Sequence, residues 1–445
     1  MQKNNYLKMV PFSRFNLWDV KRYYNKSDLS FDNVVMLRDI LKPYRKAICK
    51  EEMIKNKWQI IAKINFGGQL FLRDFEEINT YKGNLNLVPE NAIIYSKINV
   101  RHGCIYFNEI GNTPFGVSNE YPTFTFDDTL ISGDFLRKVL RSNAFKKLLN
   151  SKTSGISKAR VKQDEFLDIE IPLPSLEEQS RIISDFNENL KQAEKLDKKV
   201  KILEKGIEKY LFETLGIVNN IEVGVQKGLQ TVNYSAIDKW ALDDIFKKNT
   251  IICKKYDLVN LNSVCSLITD GTHQTPKYFK EGVIFLSARN VTKEVINWEK
   301  IKYVSNEAHK EYVKRVKPNI GDILLAKNGT TGVAAIVDVE KDFSIYVSLA
   351  LLKPIKELVV PIYLLYIINS EIARVQFFSR LIGIGVPNLH LGEIKEVVIP
   401  LPPLETQIEI SNNITLLKKE INNLKILSQE NKEKAIVNFE EEIFN

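Results

Sequence analysis

Three polar loops in the second half of the chain hold the side chains best suited to chemistry. They read TDGTHQTPKY (Thr269 to Tyr278), SARN (Ser287 to Asn290) and AKNGTTG (Ala326 to Gly332). Arg, Lys, Asn, Gln, Ser and Thr side chains hydrogen-bond to base edges in the major groove of DNA and hold its phosphates. We therefore predict that these loops contact nucleic acid through Thr272, His273, Thr275, Arg289, Asn290, Lys327 and Asn328.

Two loops in the first half have the same character. They read KINVRHG (Lys97 to Gly103) and SKTSGISKARVK (Ser151 to Lys162), and the candidate contacts in them are Lys97, Arg101, Lys158 and Arg160. Ordinary solvated loops have similar compositions, and single residues have simpler roles: His273 suits a partner in a local turn, and Arg289 suits a salt bridge. Polar loops that differ between otherwise parallel halves favour two related readers of different sequences.

Motifs that would assign a reaction to the chain are not found in the sequence. It contains no GxxxxGK phosphate loop, no Asn/Asp-Pro-Pro-Tyr stretch of amino-methyltransferases, no HExxH and no GxSxG. The segment GTTGVAA (Gly329 to Ala335) lacks the lysine and spacing of a phosphate loop, so a turn explains it better. The four cysteines and four histidines are scattered, with no CxxC pair. We expect no catalysis, no bound cofactor and no metal in this chain.

The length and net charge of the chain limit the number of domains and the kinds of partner that it can have. A chain of 445 residues is too long for one ordinary core and suits two or three domains. The net charge of +8, from 63 basic and 55 acidic residues, permits binding to nucleic acid but does not require it. No stretch reaches the roughly 18 to 20 apolar residues of a membrane span, and the first residues lack a secretory apolar core. We expect a cytoplasmic protein with reduced thiols and no membrane partner.

The elements that must position these loops occur twice. IPLPSLEEQ (Ile171 to Gln179) returns as IPLPPLETQ (Ile399 to Gln407), 228 positions later, with seven of nine residues identical. The further matching pairs are Glu165 with Glu393, Gly155-Ile156 with Gly383-Ile384, Leu136 with Leu364, Ser142 with Ser370, Ser13–Val20 with Ser235–Leu242, Val34–Leu41 with Asp257–Val264, and Tyr95–Lys97 with Leu325–Lys327. A period of this length indicates domain duplication rather than a solenoid of short repeats.

Each copy of the phrase predicts the end of a strand followed by the start of a helix. A residue before proline is forced out of the helical region, so Ile171 to Pro174 should be extended. Ser175 suits an N-cap with Glu178 completing a capping box, and in the second copy Pro403 suits a first helical turn. The first helix should run from Leu176 to about Leu215, which makes it roughly 60 Å long.

Both helices carry apolar residues at the three- and four-residue spacing of a coiled coil, with lysine and glutamate between them. The first seam comprises Ala193, Leu196, Val200, Leu203, Ile207 and Tyr210, and the second comprises Ile410, Ile414, Leu417, Ile421 and Leu424. The second seam weakens where Ser428 and Asn431 follow. The narrow seams favour pairing of the two helices with each other. The alternative is two amphipathic helices, each packed on its own domain.

The globular segments have a mixed α and β character. Short apolar stretches broken by glycine turns, such as GVIFLSARNV, predict strands, and the spacing in PIYLLYIINSEIARVQFFSRL predicts helices. We predict two similar α/β (mixed α+β) domains, each followed by a long helix. The predicted parts are residues 1–170 and 219–398 for the globular domains, and residues 171–218 and 399–445 for the helical segments.

Two variable domains, each followed by an IPLPxLExQ phrase and a long helix, resemble the specificity subunits of type I restriction–modification enzymes. The resemblance covers essentially the whole chain. DGTHQTPKYFKEGVIFLSARNV (Asp270 to Val291) is similar to the opening of one common type of target-recognition domain, and SGISKARVKQDEFLDIEIPLP (Ser154 to Pro174) to a typical end of one. The first domain departs from the pattern, since no counterpart of the DGTH segment occurs between Ile40 and Gly83.

The resemblance implies two target-recognition domains joined by two long antiparallel coiled-coil helices, in a pseudo-two-fold internal repeat. It implies a non-catalytic subunit that reads a bipartite double-stranded DNA target, one half-site per domain. Its partners in DNA methylation and phage defence would be two methyltransferase subunits carrying S-adenosylmethionine, and restriction subunits that use ATP and Mg²⁺. The alternatives are a coiled-coil DNA-binding adaptor of another phage-defence system, a self-contained DNA-modifying enzyme, and a coiled-coil adaptor with no DNA role.

Overall fold

A computed structural model gives the structure of the protein and describes residues 33–152, 160–220, 250–381 and 388–444. The chain divides into two compact units. The first comprises Met1–Asp197 with Ile426–Asn445, and the second comprises Lys198–Lys425. No helix in the described ranges is long and apolar enough to cross a lipid bilayer.

The first unit contains short strands and helices that precede a long helix. Its strands are β1 (Val34–Met36), β2 (Leu41–Tyr44), β3 (Ala47–Ile48), β4 (Ile61–Ile64), β5 (Leu70–Leu72), β6 (Leu85–Val88), β7 (Ala92–Tyr95), β8 (Ile105–Asn108), β9 (Phe115–Val117), β10 (Thr123–Phe126) and β11 (Glu170–Pro172). Its helices are α1 (Leu37–Ile40), α2 (Lys50–Lys55), α3 (Gly133–Arg141), α4 (Asn143–Lys152), α5 (Gln163–Leu167) and the start of α6 (Leu176–Leu215), with 3₁₀ turns at Phe75–Ile78 and Val100–His102.

The second unit follows the same plan. Its strands are β12 (Ile217–Asn220), β13 (Thr250–Cys253), β14 (Leu258–Asn260), β15 (Cys265–Asp270), β16 (Val283–Leu286), β17 (Val291–Thr292), β18 (Val295–Ile296), β19 (Lys302–Val304), β20 (Ile323–Ala326), β21 (Ala334–Ile336), β22 (Phe343–Ile345), β23 (Leu349–Pro354) and β24 (Val398–Pro400). Its helices are α7 (Leu261–Val264), α8 (Asn306–Arg315), α9 (Pro361–Asn369), α10 (Glu371–Ser379), α11 (Leu391–Lys395) and the start of α12 (Leu404–Phe444), with a 3₁₀ turn at Ala288–Asn290. The predicted mixed α and β content, and the predicted bounds of the first long helix, are confirmed.

The sheets repeat from one unit to the other. The first unit has a four-stranded sheet in the order β2-β10-β7-β8, and the second has one in the order β15-β23-β20-β21. The pair β1-β11 corresponds to β14-β24. The smaller sheets differ: β3-β6-β9 and β4-β5 in the first unit, and β19-β16-β22 and β17-β18 in the second. The duplicated part is therefore the four-stranded sheet and the strand pair beside the repeated phrase.

Strand pairing fixes which residues of the two units are equivalent. Val34 pairs with Pro172, and Leu258 pairs with Pro400. This equivalence differs by one residue from the alignment predicted from sequence, which placed Val34 opposite Asp257. The sequence matches that begin at Ser13, Ser235, Gly155 and Gly383 lie outside the described residues.

The segment Cys265–Thr269 of strand β15 contains one residue more than the corresponding strand β2, Leu41–Tyr44. Tyr44 pairs with Thr123 in the first unit, and Thr269 pairs with Leu351 in the second. Tyr44 and Thr269 therefore occupy equivalent positions in the two sheets. The register of β15 is irregular before that point, which makes Ser266 the additional, bulged residue. This bulge shifts the equivalence of the preceding residues by one, so the offset between the two units is 224 at Val34 and Leu258 but 225 at Tyr44 and Thr269.

The last residue of the repeated phrase is a glutamine that ties each long helix to its own domain. Gln179 is fully buried, and its amide nitrogen donates to the carbonyl oxygens of Leu130 (3.0 Å) and Pro174 (2.9 Å). Its side-chain oxygen accepts a hydrogen bond from the backbone N–H of Ser132 at 2.9 Å. We call this set of three hydrogen bonds the glutamine clamp.

The second unit makes the same clamp. Gln407 is fully buried, and its amide nitrogen donates to the carbonyl oxygens of Leu358 (3.1 Å) and Pro402 (2.8 Å). Its side-chain oxygen accepts from the backbone N–H of Val360 at 2.8 Å. All three partners are backbone groups in both copies, so the clamp depends on the path of the chain and not on neighbouring side chains.

The starts of the two long helices are close to the predicted ones. Ser175 caps α6, since its hydroxyl accepts from the backbone N–H of Glu178 at 3.2 Å. The capping box is only half formed, because Glu178 directs its carboxylate to Arg181, at 3.1 and 2.8 Å, instead of back to Ser175. Helix α12 begins at Leu404, which places Pro403 one residue before the first turn.

The long helices run antiparallel within the first unit. Arg181 pairs with Glu442 at 2.6 Å, and Asp197 pairs with Lys432 at 2.7 Å. Ser428 is buried in this seam, and its hydroxyl lies 2.6 Å from the Asp197 carboxylate. The predicted weakening at Ser428 is therefore wrong: the polar residue is hydrogen-bonded inside the seam. Apolar packing resumes beyond it at the buried residues Ala435, Phe439 and Ile443.

The helices also run antiparallel within the second unit, where Glu204 pairs with Lys425 at 2.8 Å and Tyr210 accepts a hydrogen bond from Asn413 at 2.8 Å. Of the predicted seam residues, Ala193, Val200, Ile207, Ile410, Ile414 and Ile421 are buried, and Leu196, Leu203, Leu417 and Leu424 are half-buried. The seam residues of the second unit share one apolar cluster with sheet and helix residues such as Leu352 and Leu364. Both predicted alternatives are thus realised, because the helices pair and also pack on the domain.

Candidate nucleic-acid interface

The polar loops predicted in the second half meet at one end of the four-stranded sheet. Strand β15 ends at Asp270, and the next turn is held by two hydrogen bonds: the N–H of Thr272 donates to Ile345 (3.0 Å), and the N–H of Val347 donates to Thr272 (2.9 Å). Gly271 is required at this turn, because a Cβ atom there would collide with the carbonyl oxygen of Ile345. The close approach of two backbones explains the glycine of the DGTH segment.

Ser348 joins the other two loops to this turn. Its hydroxyl accepts from the backbone N–H of Ala288 at 3.0 Å, and its carbonyl oxygen accepts from the N–H of Lys327 at 2.9 Å. The hydroxyl of Thr330 donates to the carbonyl oxygen of Val291 at 3.1 Å. The three segments TDGTHQTPKY, SARN and AKNGTTG therefore form one surface, although they lie far apart in the sequence.

A buried carboxylate is the electrostatic centre of this surface. The Asp270 side chain is 4% exposed and bonds to Nζ of Lys327 at 2.7 Å, where the lysine side chain is 6% exposed. His273 Nε2 lies 3.2 Å and an Arg315 guanidinium nitrogen 3.1 Å from the other carboxylate oxygen. The charge of Lys327 is thus neutralised by an internal ion pair. The side chains of Arg315 and His273 remain more than half exposed beside this pair.

Burial and charge act in opposite directions on Asp270. Desolvation alone would raise the pKa of its carboxyl group, but the hydrogen bond and charge of Lys327, followed by those of His273, hold the pKa below its ordinary value. The carboxylate is therefore charged at neutral pH, and it cancels the positive charge of the buried lysine. A buried charge without such a partner would be costly.

The remaining predicted residues of the second half have distinct surroundings. Asn290 is 5% exposed; its amide donates to the carbonyl oxygens of Asn297 (3.2 Å) and Lys300 (3.1 Å), so it closes a turn. Arg289 and Thr275 are exposed, and Thr272 and Asn328 are half-buried. In this conformation Arg289 and Thr275 are open to a ligand, whereas Asn290 and Lys327 serve the internal structure.

The first unit places Lys97 at the position of Lys327. The carbonyl oxygen of Lys97 accepts from the N–H of Val161, as that of Lys327 does from the N–H of Leu389. The surroundings of the two side chains differ, since Nζ of Lys97 donates to the backbone carbonyl of Asn119 at 2.7 Å and forms no ion pair with an acid among the described residues. The predicted matching of YSK with LAK is confirmed by these equivalent hydrogen bonds.

The carboxylate also has no counterpart in the first unit. Tyr44 is equivalent to Thr269, so the residue that follows it, Arg45, corresponds to Asp270. Arg45 is exposed and forms no ion pair with another described residue. Sequence comparison missed this reversal of charge, because the bulge in β15 hides the equivalence and no DGTH segment is present to guide it.

The other candidates of the first half lie close to Lys97. Arg160 is exposed and pairs with Glu120 at 3.3 Å, and the N–H of Lys97 donates to the carbonyl oxygen of the same glutamate at 3.1 Å. Arg101 is half-buried and donates to the ring of His102 at 3.2 Å. Lys158 lies outside the described residues. Lys97 and Arg160 therefore belong to one cationic region, with Glu120 between them.

The described residues give no support for a metal site. No group of three or more His, Cys, Asp or Glu side chains among them is arranged to hold a metal ion. The residues that sequence reasoning missed are Asp270 and Arg315 in the second unit and Arg45 in the first. Asp270 was visible as the acid before the Gly-Thr-His turn, but its lysine partner stands 57 residues later in the chain.

Comparison with known proteins gives a consistent result. Residues 242–431 match the family model described as the type I restriction modification DNA specificity domain. The chain is 27% identical over 295 residues to the type I restriction enzyme MjaVIII specificity subunit of Methanocaldococcus jannaschii, covering 64% of this chain and 63% of that protein. It is 21% identical over 285 residues to the EcoBI specificity subunit of Escherichia coli, covering 62% of this chain and 58% of that one. The chain thus matches less than two thirds of either relative.

A solved structure shares the fold. A chain from work on the structural basis of complex assembly and conformational transition of the type I R-M system superimposes with a TM-score of 0.60 at 17% identity. The superposition covers 92% of this chain and 95% of that one. The similarity in fold therefore extends over most of the chain.

Proposed function

Because the chain belongs to the family of type I restriction–modification specificity subunits, we propose that it reads a bipartite DNA target, one half-site per unit. The observation that carries this proposal is a repeated framework with unlike loops. The two four-stranded sheets, the strand pairs beside them and the glutamine clamps are the same, whereas the loops at the ends of β2 and β15 differ in length and in charge. A common scaffold with different polar loops suits recognition of two different sequences.

The charges at these loop ends support phosphate contact in both units. Lys97, Arg45 and Arg160 are exposed or half-buried there, and one glutamate, Glu120, opposes them. In the second unit Lys277, Arg289 and Arg315 are exposed, and Lys327 is neutralised by Asp270. Each phosphate contact adds to affinity and to its dependence on salt.

The proposal extends to the partners. The long helices would provide docking surfaces for two methyltransferase subunits that carry S-adenosylmethionine, and restriction subunits using ATP and Mg²⁺ would join them. The chain itself would bind DNA and no cofactor, and would neither methylate nor cleave. Purified chain incubated with duplex DNA and labelled S-adenosylmethionine should therefore transfer no methyl groups, whereas addition of the methyltransferase should restore transfer.

The decisive experiment exchanges one reader. Residues 13–170 are replaced by the corresponding segment of a relative with a different target, and methylated motifs are sequenced in cells that also carry the methyltransferase. We expect one half of the bipartite motif to change and the other half to stay the same. The reciprocal exchange of residues 235–398 is the matched control and should change only the opposite half.

Two outcomes would contradict the proposal. If both halves changed together in either exchange, the units would not read independently. If no methylated motif depended on the chain at all, DNA recognition would be the wrong function. A gel shift on random duplex at low salt, with and without the methyltransferase, separates loss of DNA binding from loss of assembly.

A further inference from the structure

A polar groove lies in the first unit at the edge of the small sheet β3-β6-β9. Its volume is about 470 Å³, and the side chains that give it its character are Arg45, Lys50, Asn84, Asn86 and Asn119. None of the described residues lining it is acidic. The groove thus contains two cationic side chains, three carboxamides and no acid, although the chain has 55 acidic residues. This combination of side chains suits an anionic ligand that also forms hydrogen bonds.

The strands explain why the amides collect there. Ile48 pairs with Leu85, and both are buried. Because successive side chains of a strand point to opposite faces, Asn86 lies on the face opposite to Leu85, and Asn84, which directly precedes the strand, also lines the groove. Asn86 pairs with Val117 on β9, and the chain then brings Asn119 alongside. Three asparagines from two parts of the sequence thus line one groove.

The hydrogen bonds in the groove leave groups available to a ligand. The Asn86 amide nitrogen donates to the Asn119 side-chain oxygen at 3.0 Å. This bond occupies one amide group of each residue, and the opposite groups, an oxygen on Asn86 and an NH₂ on Asn119, make no hydrogen bond to a described residue. Whichever way the two amides are turned, one acceptor and one donor group remain. Paired acceptor and donor groups are what the edge of a nucleobase requires.

The groove is continuous with the cationic region of this unit. The backbone carbonyl of Asn119 accepts from Nζ of Lys97 at 2.7 Å, and the next residue, Glu120, pairs with Arg160. On the other side Arg45 is exposed, and Lys50 donates to the carbonyl oxygen of Asn79 at 2.9 Å. Cationic side chains therefore lie near the amide pair on both sides.

We propose that this groove takes the edge of an adenine in the half-site read by the first unit, with Asn86 and Asn119 contacting the base. Adenine presents N7 as an acceptor and N6 as a donor in the major groove, and asparagine amides are its usual partners. Arg45 contacts a neighbouring phosphate. The inference rests on the proposed function and adds to it the residues that determine specificity in the unit lacking a DGTH segment.

The test uses the full chain co-purified with its methyltransferase. Duplexes bound from a random library are sequenced for the wild type, for the double variant Asn86→Ala/Asn119→Ala, and for the matched control Asn423→Ala, an exposed asparagine of α12. The double variant should lose the preference for one base in one half-site, with roughly tenfold weaker binding to the wild-type target. The control should select the wild-type motif.

A second variant keeps the test decisive if the double variant folds poorly. Asn119→Asp removes the NH₂ group of an exposed side chain and adds an acceptor, so the preference should move from adenine towards cytosine, whose N4 donates. An unchanged motif in both half-sites, or a uniform loss of affinity without a change of preferred base, would overturn the assignment of the groove. Failure of the wild type to select any motif would instead refute the proposed function, and the groove with it.

Discussion

Lys97 and Lys327 occupy the same place in the two units but have opposite surroundings. Lys327 is buried against the carboxylate of Asp270, whereas Lys97 is half-buried and bonded to a backbone carbonyl, with Arg45 standing where the acid would be. The duplicated framework thus holds a buried ion pair in one copy and an open cationic edge in the other. The comparison teaches that the equivalent position is structural in the second unit and available to a ligand in the first.

The largest test of this difference removes the acid. Asp270→Ala leaves Lys327 buried without its partner, and we expect the second unit to lose about 3–5 kcal/mol of unfolding free energy. Arg45→Ala, at the equivalent position, should change stability by less than about 0.5 kcal/mol. Denaturant unfolding of both variants checks this.

The double variant Asp270→Ala/Lys327→Met should regain most of the loss, because it removes both buried charges. If Asp270→Ala and Arg45→Ala lowered the unfolding free energy equally, the proposed difference between the surroundings of Lys327 and Lys97 would be wrong.

The second test probes what the units share. Gln407→Ala removes three hydrogen bonds from a fully buried amide and leaves backbone partners unsatisfied, which should cost about 3 kcal/mol. Gln179→Ala should cost the same in the first unit. The measurement is hydrogen exchange of the segments 130–132 and 358–360, together with thermal unfolding.

The matched control is Gln429→Ala. The side chain of this exposed glutamine of α12 bonds to Glu433 and to no other described residue, so its removal should be nearly neutral. A large loss in one clamp and none in the other would contradict the equivalence of the two junctions.

These two sites also mark what sequence can and cannot predict. The glutamine stands in a nine-residue phrase whose prolines and N-cap are local signals, and the helices repeat their apolar residues at a fixed spacing. Duplication, helix bounds and seam were therefore predictable. The ion pair joins residues 57 positions apart, and the amide pair of the groove joins residues 33 apart, through strand pairings that no local pattern specifies.

The predicted contact residues illustrate the same limit. Asn290 and Lys327 have the right chemistry for DNA, but the fold uses Asn290 to close a turn and Lys327 to neutralise Asp270. A polar residue that hydrogen-bonds to a buried partner and a polar residue that is free to bind a ligand cannot be distinguished by residue type in the sequence. Only burial distinguishes them, and burial depends on the whole domain.

The third test uses pH. The pKa of Asp270 is lowered in the folded state, so its charge adds stability above the unfolded-state value of about 3.9, and this contribution is lost as the pH falls through the lower folded-state value. The second unit should therefore lose stability in acid below about pH 4. Asp270→Asn should flatten the profile in that range, and urea unfolding between pH 3 and 7 measures it. Persistence of the full acid dependence in this variant would assign it to other carboxylates.

The smallest effects concern DNA affinity. Arg289→Ala removes an exposed cation and should lower the slope of log K against log salt by about 0.9. Arg160→Ala should lower it by less, because Glu120 already offsets part of that charge. Binding titrations from low to moderate salt give both slopes. A larger change in slope for Arg160→Ala than for Arg289→Ala would contradict this prediction, because it would show that Arg160 contributes more to phosphate contact than Arg289 does.

The glutamine clamp has a consequence for how such proteins evolve. All of its partners are backbone groups, so a foreign domain that presents the same loop and strand end forms the same joint regardless of its side chains. Genetic recombination at the repeated phrase would then exchange an entire reader while inheriting an intact junction. Under the proposed function, a new target specificity would arise in one step in this way, without the gradual redesign of a core.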